Sequence, residues 1–425
     1  MQKNVSNKTV ILPSQNLYPL NLSKYEYPVQ RIGVKLRPAA EKKVKQGHPW
    51  VFDQGIATQK KQPNLGDLAI VFDQKKNKFL GLGLWDIYSP IRIKMLHTGA
   101  PIQLDGAFFS HKIQQAAQLR LPQLQTDTNS YRLIFGENDG LPGLIADVYD
   151  QVLVVKLYSG IWLPHLQAVL DPLLAASKCT TMVLRLSRSL QQLDQWPAEL
   201  KDGTVLVGDL ADEQVIFKEY GLKFSANVIH GHKTGYFLDH RHNRYQVQQL
   251  AKHKRVLDVF AYAGGFSVHA LAGGAQSVLS IDISAQALGM AKKNASLNGL
   301  EQGLETRAID AFEGMKALHS EGQTFDLVIV DPPAFAKQAK EVPTALHQYQ
   351  RLTQLAIPLV APGGILLSAS CSSRVLASDF YTANEKELRK AGRKWEIWKK
   401  TAHDIDHPTT FPEGAYLKSA YYRLS

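Results

Sequence analysis

The sequence predicts an α/β chain whose C-terminal part, residues 211–425, forms a doubly wound, mainly parallel sheet. A small β-rich barrel and a compact α+β unit precede it. Three observations carry this prediction. From about Ala211 onward, strand-like apolar runs alternate with helical stretches, as βαβ units do. Phe325–Val330 and Gly364–Ala369 are apolar almost throughout, as strands buried on both faces are. Between Arg31 and Ala100, short apolar runs are instead separated by Gly and polar turns, which reads as a barrel or sandwich.

Residues 1–30 are polar and broken by Pro13, Pro19 and Pro28, and are read as an extension. Met1–Tyr27 lacks the continuous apolar stretch of a signal peptide. In residues 31–100 the strand candidates are Ala69–Phe72, Phe79–Leu84 and Ile91–Leu96. Thirteen Lys and Arg stand against five Asp and Glu there, a net +8 of the chain's +11. Such a concentration favours a phosphate-contacting face over a merely solvated one.

Residues 101–210 mix periods. Phe108–Leu119 and Trp162–Ala176 are spaced as helices. Leu141–Tyr149, Gln151–Tyr158 and Thr181–Leu186 read as strands. In residues 211–425 the predicted strands are Arg255–Phe260, Ser277–Asp282, Glu305–Ile309, Phe325–Val330, Gly364–Ala369 and Tyr416–Leu424. Phe266–Ala272 is helical between the first two. Ser284 caps a helix carrying Leu288, Ala291 and Ala295, ended by Asn298-Gly299.

A chain of 425 residues is too long for one ordinary core. At 44% hydrophobic and 20% charged it is globular rather than disordered. Cys179 and Cys371 are its two cysteines, too few for a disulfide framework and without zinc-ligand spacing, so no metal is expected. No run of about 18 apolar residues is present, so neither a transmembrane helix nor a membrane partner is expected. A reducing cytoplasm is the expected compartment.

In an open parallel sheet, ligands bind beyond the carboxyl ends of the strands. Four of those ends carry aspartate: Asp258, Asp282, Asp310 and Asp331. Asp282 is placed to accept from ribose hydroxyls, and Asp310 from an adenine amino group. Gly264 and Gly265 allow a tight turn and close backbone approach to a ligand. Each aspartate alone is as well explained by turn or cap chemistry. Together they point to a nucleoside cofactor. The turn Ala261-Tyr-Ala-Gly-Gly-Phe266 does not fit the G-x-G-x-x-G of dinucleotide sites, so S-adenosylmethionine is preferred to NAD.

The chain resembles the class I S-adenosylmethionine-dependent methyltransferases, and more closely the RlmI-type 23S rRNA cytosine-5 methyltransferases. The resemblance runs from about Arg31 nearly to the end. It rests on Gly47-His-Pro-Trp-Val-Phe52 and Gly81-Leu-Gly83, on Phe135-Gly-Glu-Asn-Asp-Gly-Leu-Pro-Gly-Leu-Ile145, and on Lys233-Thr-Gly-Tyr-Phe-Leu-Asp-His-Arg-His-Asn-Arg244. Asp331-Pro-Pro-Ala-Phe335, Ser370-Cys-Ser372 and Phe411-Pro-Glu-Gly-Ala-Tyr-Leu-Lys418 complete it. It implies a Rossmann-like methyltransferase sheet after a PUA-like RNA-binding barrel and a central α+β domain. It also implies Phe260, Tyr262, Ile283, Ala311 and Phe237 around the cofactor, and 23S ribosomal RNA as partner. A second copy of the chain, as a homodimer, is the other partner considered.

Carbon 5 of cytosine is too weak a nucleophile to attack a sulfonium methyl unaided. A thiolate adding to carbon 6 makes it one, which is covalent catalysis by Cys371. Asp331, on the neighbouring strand end, is the expected partner of the ring nitrogen. Pro332 and Pro333 stiffen its loop, and Phe335 is placed to stack on an extruded base; the resemblance implies a lid at Lys233–Arg244 near the cofactor, with Arg241 holding its local structure near the substrate. Cys179 is read as core. The base that takes the carbon-5 proton has no candidate in the sequence. A guanine-nitrogen methyltransferase and a non-catalytic RNA-binding assembly factor are the alternatives.

Overall fold

A computed structural model describes residues 18–425, so the first 17 residues of the expected extension lie outside the described residues. Its remaining part docks on the middle of the chain. Tyr18, Leu22 and Tyr25 are buried, and the Tyr18 hydroxyl donates to Asp171 at 2.6 Å.

Residues 31–98 form a six-stranded, mostly antiparallel sheet in which Arg31–Leu36 pairs in parallel with Leu68–Phe72. One short helix, Pro38–Lys45, interrupts it. A five-stranded sheet follows between Ser130 and Val207, covered by the helices Gly106–Leu124 and Leu166–Ser177. The first of these helices is capped by Asp105 and starts at Gly106, two residues before the predicted Phe108. The Trp162–Ala176 stretch divides, because Pro164 sits in a 3-10 turn, Gly160–His165, that precedes the α-helix. Both sheets share one core: Leu68, Leu82 and Leu96 pack with Tyr131, Leu153 and Trp162. Cys179 lies in it, as expected.

The hairpin Gln214–Glu219 and Leu222–Asn227 leads into the largest sheet. Its elements, in chain order, are α1 (Arg241–Leu250), β1 (Arg255–Val259), α2 (Gly265–Ala272), β2 (Ser277–Asp282), α3 (Ala285–Ser296), β3 (Leu304–Ala308), α4 (Ala311–Ser320), β4 (Phe325–Val330), α5 (Val342–Ala356), β5 (Val360–Ser370), α6 (Ala377–Lys390), β6 (Trp395–Thr401) and β7 (Lys418–Leu424). The spatial order is β3-β2-β1-β4-β5-β7-β6. The first five strands are parallel, and β7 runs antiparallel between β5 and β6. The central strands are buried on both faces, which is why their sequences are continuously apolar. Order reverses between β1 and β4, and the crevice there is where an open sheet takes its ligand.

Buried ion pairs lock the entrance to this sheet. Arg244 of α1 holds Glu219 of the hairpin at 2.6 and 2.7 Å, and His269 of α2 reaches the same carboxylate at 3.0 Å. Burial alone would raise Glu219; the Arg244 guanidinium outweighs it and holds the carboxylate down at about 2.

Candidate active site

The cavity at the carboxyl ends of β1, β2, β4 and β5 has a volume of about 340 Å³. Five chain segments close it. The turn after β1 contributes Phe260, Ala261, Tyr262, Gly265 and Phe266. Asp282 and Ile283 come from the end of β2; Asp331, Pro332, Pro333 and Cys371 come from the ends of β4 and β5. The Lys233–Arg244 stretch covers the opposite side with Lys233, Tyr236, Phe237, Asp239 and His240.

The turn after β1 is strained. Phe260, Tyr262 and Gly264 all have positive φ, at 67°, 48° and 74°. Strand β2 holds it there: Phe260 and Ala261 donate to Ile281 O, and Tyr262 N donates to Asp282 Oδ2 at 2.9 Å. Asp282 Oδ1 accepts from Ser284 N at 2.9 Å. Both its oxygens thus carry one backbone donor and keep a free lone pair each toward the cavity. The two glycines serve packing as much as ligand approach. A Cβ at Gly264 would stand 2.6 Å from Ala291 Cβ, and one at Gly265 would stand 2.5 Å from the Tyr236 hydroxyl. Ile283 is 76% exposed beside Asp282, an apolar surface open to a flat ring. Phe237 packs edge-on to Tyr262 at 5.2 Å, under the Lys233 ammonium at 4.5 Å.

The opposite end of the cavity holds the thiol. Parallel pairing of β4 and β5, Val330 against Ser368, brings Asp331 and Cys371 to one rim. Cys371 Sγ is 3.9 Å from Pro332 O. Burial, then the Asp331 charge, pushes this thiol up to about 12, opposed by Lys233 and Lys418. The flanking serines explain the Ser-Cys-Ser motif. Ser370 Oγ bonds the Tyr349 hydroxyl at 2.8 Å, while Ser372 Oγ accepts from Ala336 N and donates to Ala336 O. The Cys371 loop is thereby clamped to the Asp331 loop.

Several expected site residues lie elsewhere. Asp258 is buried beside the turn and does not line the cavity. Its Oδ2 accepts from Ser267 Oγ at 2.6 Å, its Oδ1 has no partner, and burial raises it to about 7. Asp310 caps α4, with Oδ1 accepting from Phe312 N and Glu313 N. Ala311 behind it is in the core, and neither lines the cavity. An aspartate ending the edge strand β3 starts the next helix, using only one of its two carboxylate oxygens to do so. Arg241 is fully buried between Asp406 at 2.6 Å, Asp404 at 3.3 Å and Ser130 O at 3.0 Å. It joins three parts of the chain, holding the local structure as expected, and does not line the cavity where a substrate contact was also expected. Phe335 packs on Tyr349 at 5.1 Å, outside the cavity, because the Pro332-Pro333 turn carries it away.

The structure also assembles groups that had no assigned role. His240 Nε2 is 3.3 Å from Asp331 Oδ1. Asp239, fully buried, accepts from the Tyr416 hydroxyl at 2.8 Å. Lys418 is buried with Nζ donating to Ser372 O, Val375 O and Tyr416 O. Burial lowers this ammonium to about 8. The motifs Lys233–Arg244 and Phe411–Lys418 contain all of them, but only the fold shows that the two motifs meet. His407 is buried against Asp406, and Glu413 reaches His48 at 3.3 Å; both brace the site without lining it. Among the described residues, no group of His, Cys, Asp and Glu is arranged to hold a metal ion.

Comparison with known proteins gives concordant results. A family model for S-adenosylmethionine-dependent methyltransferases matches residues 132–415, and one for PUA-like domains matches residues 34–98. A ribosomal RNA large subunit methyltransferase of Deinococcus radiodurans is 40% identical over 400 residues, covering 93% of this chain and 98% of its own. Ribosomal RNA large subunit methyltransferase I of Pseudoalteromonas atlantica is 35% identical, covering 91% of this chain and 97% of its own. The crystal structure of SMU.776 complexed with SAH superposes with a TM-score of 0.79 at 20% identity, covering 93% of this chain and all of that one, and shares the fold.

Proposed function

The chain belongs to the S-adenosylmethionine-dependent methyltransferase family, and from that premise we propose that it methylates carbon 5 of a cytosine in 23S ribosomal RNA through a covalent adduct on Cys371. The observation that carries the reading is the single cavity shared by Asp331, Cys371 and the Asp282 end of β2. The residues present suit the methyl donor: the strained turn, Asp282 and the exposed Ile283 offer backbone, carboxylate and apolar surface to a nucleoside. When bound, S-adenosylmethionine supplies an electrophilic methyl group.

The chain's own residues do the rest. A thiol held near 12 is protonated at rest, so it has to be deprotonated by a neighbour as the base enters. In this reading Asp331 takes the Sγ proton, sulfur bonds to carbon 6, and the Asp331 proton passes to ring nitrogen 3. The carbon 5–carbon 6 double bond is consumed and carbon 5 becomes nucleophilic. After methylation, carbon 5 releases its proton to solvent, the double bond re-forms as the carbon 6–sulfur bond breaks, and nitrogen 3 returns its proton to the departing sulfur. The Asp331 loop, stiffened by Pro332 and Pro333, keeps carboxylate and thiol in register.

An RNA substrate is supported by the relatives' names and by the first sheet. A groove of about 1230 Å³ there is lined by Lys42, Lys45, Lys75, Lys76 and Lys78 against Glu41 and Asp73. Such a lysine excess suits phosphates. The compartment this implies is the cytoplasm. The test is a fragment of ribosomal RNA carrying 5-fluorocytosine at the mapped target. Carbon 5 then has no proton to lose, so the adduct persists and mass spectrometry finds it on Cys371. Full methylation by Cys371→Ala would exclude the covalent route and favour a guanine-nitrogen target.

A further inference from the structure

A second cavity, of about 360 Å³, adjoins the first, and Lys233 lines both. We propose that it receives the nucleotide next to the target base, with that base on the ring of Tyr158 and the connecting phosphate at Lys233. This rests on the RNA reading above. A base drawn into the catalytic cavity remains tied to its neighbours by the backbone, so a substrate longer than one nucleotide must leave along the cavity's rim. The rim residue common to both cavities is an exposed lysine, which suits a phosphate.

The second cavity is built for a flat ring. Tyr158 is 47% exposed although it directly follows the buried strand Val152–Leu157. Its backbone N–H donates to Gly143 O at 2.8 Å, which fixes its place. Gly136 and Gly143 line the same cavity, both with positive φ, and present backbone without side chains. Lys156 Nζ stands 5.8 Å from the Tyr158 ring centre and donates to Lys233 O at 2.8 Å, so the aromatic face, one ammonium group and the Lys233 backbone form one unit. An aromatic face beside cations is the arrangement that holds single-stranded nucleic acid.

The other charges of this cavity are already spoken for. Arg132 is paired through two hydrogen bonds with buried Asp147. Glu137 accepts from Trp50 Nε1 at 3.0 Å, and Trp50 belongs to the lysine-rich first sheet. Glu137 keeps its negative charge on the far wall, while Lys233 on the rim and Lys156 beside it put the positive charge at the Tyr158 side of the cavity. The Glu137–Trp50 contact also joins its far wall to the unit whose lysines face solvent.

The test follows mapping of the methylated position in ribosomal RNA. Fragments with an abasic residue on the 5′ or the 3′ side of the target are compared with the intact fragment, using the full chain, Tyr158→Ala and Tyr158→Phe. Tyr158→Ala is expected to raise KM for the intact fragment about tenfold, with kcat within about twofold. Its affinity for S-adenosylmethionine, measured by calorimetry, stays at the wild-type value, and Tyr158→Phe behaves as wild type. One abasic fragment costs the wild type the same factor and costs Tyr158→Ala nothing further. An unchanged KM in Tyr158→Ala, a loss in Tyr158→Phe equal to that in Tyr158→Ala, or undiminished sensitivity of Tyr158→Ala to both abasic fragments overturns the inference. Absence of methylation of any fragment by the wild type overturns instead the RNA reading beneath it.

Discussion

His240 Nε2 lies 3.3 Å from Asp331 Oδ1, and His240 is buried while Asp331 borders the cavity. The histidine is held from behind. Asn243 Nδ2 is 3.1 Å from His240 Nδ1, and Asn243 Oδ1 is occupied by the Thr401 and Tyr421 hydroxyls at 2.6 and 3.0 Å. With its carbonyl so engaged, the Asn243 amide turns its N–H toward Nδ1. The hydrogen then sits on Nε2, the nitrogen that lies within ion-pair distance of Asp331.

This chain of contacts makes His240 a positioning residue for Asp331. His240→Leu is expected to lower single-turnover methylation at least tenfold, because Asp331 loses the imidazole that stands 3.3 Å from its Oδ1. His240→Gln restores an N–H donor and should recover most of the rate. Equal rates for the leucine variant and the wild type would show that the carboxylate needs no such support.

Lys418 predicts a second effect, on the thiol. All three of its N–H donors end on carbonyls of the segments beside Cys371. Lys418→Met leaves those carbonyls without a charged donor and frees the loop from Ser372 to Val375. A stability loss of about 2–4 kcal/mol is expected from the unsatisfied groups. The sharper readout is alkylation of Cys371 against pH, followed by mass spectrometry with buried Cys179 as internal control. Losing the Lys418 charge should move the Cys371 titration to still higher pH, since that charge opposes the shift now present. An unmoved titration curve would leave the lysine a purely structural strut.

Asp258 predicts a pH dependence of folding. Its carboxyl is raised from 3.8 to about 7, chiefly by burial. The folded state therefore holds this proton more tightly than the unfolded chain does. The resulting stability is fully present below about pH 4 and is lost as pH rises through 7. Asp258→Asn removes the titration, so its stability relative to the wild type should improve between pH 4 and 7 by up to about 1.4 kcal/mol per unit. Melting curves of both proteins at several pH values give the answer, and parallel profiles would refute it.

Parts of the fold were readable to the residue. Thr181–Leu186, Ser277–Asp282 and Phe325–Val330 are the strands predicted, because each apolar run is bounded by polar or turn residues. Ser284 caps α3 through its hydroxyl, and Gly299 ends that helix region with a φ of 68°. Less readable were residues whose role depends on what lies opposite. Asp282 and Asp310 look alike in sequence, each closing a strand of the same sheet. One faces the crevice beside the reversal of strand order, and the other caps a helix at the sheet edge. Arg241 reads as a free cation until Asp404 and Asp406 arrive from a distant loop.

From its residues alone the chain specified an open parallel sheet, a nucleoside-binding strand rim and a lone thiol at the end of β5, since all three follow from local period and strand-end chemistry. Folding alone decided which aspartates look into the cavity, how His240, Asn243 and Lys418 brace the reacting groups, and how Tyr158 comes to stand beside Lys233. Those relationships join segments up to about two hundred residues apart, and no local pattern encodes a contact whose partners meet only when the three sheets pack.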